Sequence, residues 1–141
     1  MARNIGFVKA PQVWEGPVCL TFGLRQTFSP TARYDGSVEG RAFPFYVPYS
    51  MLPAMLRNEP PAVLHIAFVR GRETAHPAGL FPEEIVSGGP AIFAFYEDRE
   101  RSKLYRLSVN RRYYSLYAPN EFFGSEEAPE CLVVQVAVPR A

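Results

Sequence analysis

The sequence predicts a mainly β fold, a β-rich α+β domain whose antiparallel sheet curls into an open barrel or small sandwich with one or two short helices. Three observations predict it. Apolar residues recur with a period of two in short runs, as in VCLTFGLRQTF from residue 18 and CLVVQVAV from residue 131. Fourteen prolines and ten glycines are spread along 141 residues, which implies frequent turns and no low-complexity tract. Apolar content of 48% supplies the core of a single domain, 1–141, and no Gly- or Ser-rich linker divides it.

Taken in order, Val18 to Phe28 is a strand with a bulge expected near Gly23. Ser29-Pro30 and Asp35-Gly36 are turn signals, and Arg41 to Val47 is a second strand. Pro44 lacks an N–H, which places that strand at an edge or a bulge. Between Ser50 and Arg57, Met51, Leu52, Met55 and Leu56 recur at offsets of three and four, predicting a short helix ended by Asn58-Glu59-Pro60-Pro61. Ala62 to Arg70 is mostly apolar and suits a central strand. Residues 71–79 suit a loop, and Leu80 to Val86 suits one helical turn begun by Pro82 and Glu83. Ala91 to Glu97 and Ser102 to Val109 flank the polar turn Asp98-Arg99-Glu100-Arg101 as a β-hairpin. Asn110-Arg111-Arg112 turns again into a strand over Tyr113 to Tyr117. An acidic loop follows, and Cys131 to Val138, apolar on both sides, is the last and interior strand. The expected total is six or seven short strands and at most two short helices.

Cys19 and Cys131 stand in apolar runs, which favours buried free thiols in a reducing compartment. The N-terminal residues Met1 to Gly6 lack the apolar core of a signal peptide, and no window approaches the length of a membrane helix. A soluble, cytoplasmic protein without a membrane partner is expected.

Catalytic and metal motifs do not stand out. His65, His76, Cys19 and Cys131 have no paired zinc spacing. There is no Gly-x-Ser-x-Gly elbow and no phosphate-binding glycine loop. Glu83-Glu84 and Glu126-Glu127 are adjacent pairs whose side chains diverge. The expectation is a non-enzyme that needs no cofactor and no metal.

Residues 91–117 carry the strongest signal. Seven aromatics stand among six basic residues and only three acids, so the window is +3 in a chain of +1. Alternate aromatics in a strand belong to a core. Tyr113 and Tyr114 are consecutive and must face opposite ways, so part of this set is exposed. Tyrosine beside arginine is typical of binding hot spots and of base-stacking surfaces. The candidate partner-binding residues are Arg99, Arg101, Arg106, Arg111, Arg112, Tyr113, Tyr114 and Tyr117. The segment Tyr46 to Leu56, with two tyrosines and two methionines, is a second candidate surface or a helix closing a barrel end.

Arginine outnumbers lysine 13 to 2. That bias, the small single domain, the Phe/Tyr-rich segments AIFAFYE and YYSLY and the lack of a catalytic set resemble the small RNA polymerase-binding transcription regulators of thermophile bacteriophages. The similarity is one of type and covers the whole chain. It implies a protein partner, the host RNA polymerase, and a steric mode of action that inhibits or redirects transcription. The alternative is a β-barrel module for single-stranded nucleic acid, with Tyr105, Tyr113, Tyr114 and Tyr117 stacking on bases. A sequence pI near 7.8, below the value above about 9 typical of dedicated nucleic-acid binders, makes nucleic acid the secondary partner. A third reading is an enzyme assembled only in the fold, around His65 or His76 with Glu83, Glu84, Glu97 or Asp98.

Overall fold

The computed structural model describes residue 13 and residues 17–71, 85–87, 90–124 and 127–139. Nine strands run through them: β1 (Val18–Thr27), β2 (Thr31–Val38), β3 (Arg41–Pro48), β4 (Val63–Arg70), β5 (Ile85–Ser87), β6 (Ala91–Asp98), β7 (Ser102–Val109), β8 (Arg112–Pro119) and β9 (Cys131–Pro139). Eight of them form one antiparallel sheet in the order β3-β2-β1-β4-β9-β6-β7-β8, curled until it nearly closes into a barrel. The short β5 pairs with β9. The open-barrel expectation therefore holds. Among the described residues there is no helix of seven residues or more.

The sheet is two local meanders joined by one distant strand. β1 to β3 form one side, with β4 added against β1. β6 to β8 form the other. β9 lies between β4 and β6 and is buried on both sides from Cys131 to Ala137, as its continuous apolar run predicts. Two hairpins turn through two residues with positive φ, Glu39-Gly40 (51° and 75°) and Asn110-Arg111 (48° and 66°), the geometry that matches strand twist.

Inward-facing residues fill the barrel. Phe22, Phe43, Phe45, Phe68, Phe93 and Phe122 are fully buried, and Phe43 and Phe122 meet edge-to-face at 5.4 Å. Tyr34 and Tyr105 are buried too. Each keeps its hydroxyl satisfied by donating to a carbonyl, of Pro61 and of Pro129 respectively. Desolvation raises both phenols above their ordinary range.

Several expectations need correction. Residues 31–38 form a whole strand, so Asp35-Gly36 is not a turn and Arg41–Pro48 is the third strand. Gly36 sits in β2 because the Phe22 ring occupies the space a side chain would take. The predicted helix over 50–57 is two separate 3-10 turns, Tyr49–Met51 and Ala54–Leu56. Pro53, with no N–H and an extended ψ of 141°, stands between them. Ile85 and Val86 are in a strand, not a helical turn, while residues 80–84 and His76 lie outside the described residues. The bulge expected near Gly23 is present, at Arg25. Cys19 is exposed on the outer side of β1, and only Cys131 is buried. Pro44 does sit on an edge strand, since β3 ends the sheet.

A candidate partner-binding surface on β6, β7 and β8

The geometry of this surface begins with a bulge. Phe95 pairs with Tyr105 and Glu97 with Leu104, so Tyr96 is an extra residue in β6. A bulge of this kind turns an additional side chain to one side of the sheet. Here it turns Tyr96 to the outer side, while Phe93 is buried and the partly exposed Phe95 meets Tyr105 edge-to-face. Tyr96 is 51% exposed.

Across the sheet, Arg106 of β7 pairs with Ala94 of β6 and Ser115 of β8. Its guanidinium carbon lies 3.6 Å from the centre of the Tyr96 ring and 5.5 Å from that of Tyr113. Arg106 is thus flanked by two tyrosines on the outer side of the barrel. Its Nε is buried with no hydrogen-bond partner among the described residues. Two pairs further on, Tyr117 faces Leu104, and the Arg99 guanidinium lies 5.9 Å from the Tyr117 ring. Leu104 is buried yet lies outside the main core cluster, a floor beneath this outer layer. Tyr113 and Tyr117 are 67% and 45% exposed.

The eight predicted site residues separate into groups. Arg99, Arg106, Tyr113 and Tyr117 come together on one outer surface, joined by Tyr96. Arg112 and the half-buried Tyr114 join Tyr113 and Tyr117 along a cleft. Arg101 is exposed at the β6–β7 tip, and Arg111 is exposed in the opposite turn. Tyr105 belongs to the core and cannot stack on a partner, because it points inward between Phe95 and Phe123. At the tip, Glu97 and Asp98 are paired with Arg99 and Lys103, a solvated mixed-charge turn.

The cleft has a volume of about 490 Å³ and lies where the sheet fails to close. Pro30, Thr31 and Tyr46 form one wall, and Arg112 to Ser115 with Tyr117 form the other. Its lower end is shut. Arg41 at the start of β3 makes an ion pair of 3.3 Å with Glu121 just past β8, and Phe43 packs on Phe122 beside it. The seam is therefore a wedge, closed near Arg41 and open near Tyr46. Phe28 and Tyr46 extend the open end, both exposed and with rings 5.9 Å apart. Phe28, Thr31 and Tyr96 escaped selection from the sequence, although the adjacent aromatics Phe95-Tyr96 signal that one of them faces out. Tyr46 belongs to the second candidate segment, Tyr46 to Leu56.

Elsewhere, the His65 Nδ1 lies 3.3 Å from the Thr21 hydroxyl on the outer side of β1 and β4, away from the cleft. Among the described residues no group of three or more His, Cys, Asp and Glu is placed so that it could hold a metal ion. No helix among them is long and apolar enough to cross a membrane. No model of a known protein family matches the chain, and no curated protein matches it.

Proposed function

We propose that this protein is a non-enzymatic, protein-binding regulator, and most specifically one that binds bacterial RNA polymerase and inhibits or redirects transcription. The observation that carries the reading is the Tyr96–Arg106–Tyr113 stack on the outer side of the barrel. Aromatic and arginine side chains held rigid before binding lose little freedom when a partner arrives. The stack is flanked by exposed Tyr117 and by Arg99 and Arg112, so it has the composition of a protein-binding centre with a basic rim. Polymerase as the partner, and the cytoplasm of a phage-infected thermophile as the setting, rest on the resemblance to small phage regulators.

The test is retention of purified RNA polymerase from a thermophilic bacterium on the immobilised protein at moderate salt. Arg106→Ala is expected to weaken retention by about 30-fold or more, the effect of losing a central anchor. No retention of polymerase by the unaltered protein defeats the proposal.

Single-stranded nucleic acid is the second reading, favoured by Arg112 standing beside Tyr113, Tyr114 and Tyr46 in one cleft. It requires binding that falls steeply with salt, and a gel shift empty at low salt removes it.

A further inference from the structure

The backbone of the seam is as informative as its side chains. In an antiparallel ladder, alternate residues turn their N–H and C=O toward the neighbour, and the others turn theirs away. Asn110 and Arg111 close a two-residue turn, so Val109 and Arg112 are a bonded pair. The same phase makes Leu107–Tyr114 and Tyr105–Leu116 bonded pairs. The Asn120 N–H donating to the Arg101 carbonyl at 3.1 Å fits that phase at the far end. Tyr113, Ser115 and Tyr117 therefore turn their N–H and C=O groups toward the open seam.

The opposite edge differs. Tyr49 N–H donates to the Pro30 carbonyl at 2.9 Å, which puts the Thr31–Pro48 pair in the unbonded phase. Ala42, Pro44, Tyr46 and Pro48 then face the seam, and two of these four have no N–H to offer. Such prolines blunt an edge against further pairing. Among the described residues no strand pairs with the outer edge of β3 or β8. One wall of the cleft is thus a blunted edge, and the other is a run of three edge-facing residues with donors and acceptors intact.

We infer that the open half of the seam captures an extended acidic peptide segment of a partner protein, which adds as a strand along Tyr113–Tyr117 of β8. The inference rests on the protein-binding reading and deepens it. Charge selects the occupant. The cleft lining holds Arg112 and no acid, Arg106 stands next to Ser115 across the ladder, and Glu97 on the same outer side is already paired with Arg99. Side chains of an added strand alternate, so acidic ones at every second position lie on the outer side with Arg106, Tyr113 and Tyr117, while the others turn to the side of Tyr114.

The probe is a fluorescein-labelled heptapeptide of alternating glutamate and valine, with a lysine–valine peptide as its counterpart. The acidic peptide is expected to raise anisotropy and to slow amide exchange at Tyr113, Ser115 and Tyr117, with Tyr114 and Leu116 unchanged because the β7 ladder already holds them. Ser115→Pro removes one edge-facing N–H without touching that ladder. It is expected to weaken the peptide about tenfold or more. Should this variant melt early, the same peptide methylated on alternate backbone nitrogens replaces it and must bind about tenfold more weakly. Equal binding of the lysine peptide, or no protection at the three amides, overturns the inference. So does a dimer in sedimentation that dissociates on Ser115→Pro. A dT12 oligonucleotide that displaces the peptide and binds more tightly assigns the seam to nucleic acid and also overturns it. Polymerase retention separates the two levels: loss with Arg106→Ala but not with Ser115→Pro ends strand addition alone, and retention by both variants ends the broader reading.

Discussion

Replacing Gly36 by alanine tests the packing that holds the barrel together. Gly36 lies in β2 directly across from Phe22 of β1, given the neighbouring pair Gly23–Asp35. A Cβ there would stand 2.9, 3.0 and 3.1 Å from three carbons of the Phe22 ring, against 3.4–4 Å for an ordinary contact. The ring cannot simply yield. It is fully buried, with Phe43 at 5.3 Å, Phe68 at 6.2 Å and Phe45 at 6.4 Å between centroids. Forcing a methyl into such a site costs about 1–3 kcal/mol, partly offset by about 0.4–1 kcal/mol from the stiffer unfolded chain. The expected net loss is about 1–2 kcal/mol, or roughly 3–8 °C in Tm for a domain of this size. Urea unfolding followed by near-ultraviolet circular dichroism measures it. Phe22→Leu alone costs about 1–2 kcal/mol through the cavity it leaves. In the double variant the two losses are expected to fall short of their sum by about 0.5 kcal/mol or more, because leucine vacates the space the methyl needs. A neutral Gly36→Ala, or a strictly additive double variant, would refute the close approach of Phe22.

The remaining predictions concern the turn, the phenols and the surface. Arg111 holds a φ of 66° that L-residues disfavour, so Arg111→Gly is expected to raise stability by about 0.5–1 kcal/mol in the same unfolding assay. Tyr34 and Tyr105 are raised by burial, whereas in the unfolded chain they titrate near about 10. Above that pH the unfolded chain releases protons that the native one keeps. Stability is therefore full below about pH 10 and falls above it by about 1.4 kcal/mol per pH unit for each phenol. Tyr34→Phe is expected to halve that alkaline slope, read from unfolding curves at several pH values. Tyr113→Ala removes a ring that is mostly in solvent, so its melting should shift by about 0.5 kcal/mol or less while polymerase retention drops.

Much of the sheet was legible because its strands are short and alternate cleanly. The β6–β7 hairpin, the interior β9 and the edge position of Pro44 all follow from period, turn chemistry and the missing proline N–H. What escaped has physical causes. β2 contains Asp35 and Gly36, a turn signature by local preference. In the fold, Asp35 is held by Arg33 at 3.0 Å and Arg25 at 3.5 Å, and Gly36 by the Phe22 ring. Arg25 and Phe22 lie on β1 and leave no trace in the local sequence of β2. The helix expected over 50–57 failed because Pro53 outweighed an apolar spacing that serves two separate turns. The candidate surface was half legible. Consecutive tyrosines in β8 required one to face out, and Tyr113 does. Which arginine lies beside it depends on the β7–β8 register, and the part played by Tyr96 depends on a bulge. Tyr105 could not be told from its neighbours until the strand's inward side was known.

The position of β9 has a consequence for how this chain reaches its native state. β1 to β3 and β6 to β8 are built from neighbours in sequence and can pair early, yet β4, docked on β1, and β6 each keep an unsatisfied apolar flank. Only the strand latest in order fills the gap between them, and its partner β4 lies some sixty residues upstream. Assembly must therefore await a remote contact, a slow step whose half-built precursors are prone to stick to one another. Substitutions that weaken β9, such as a charge at Val134, should consequently lower the yield of soluble protein well before they are noticed as a change in binding.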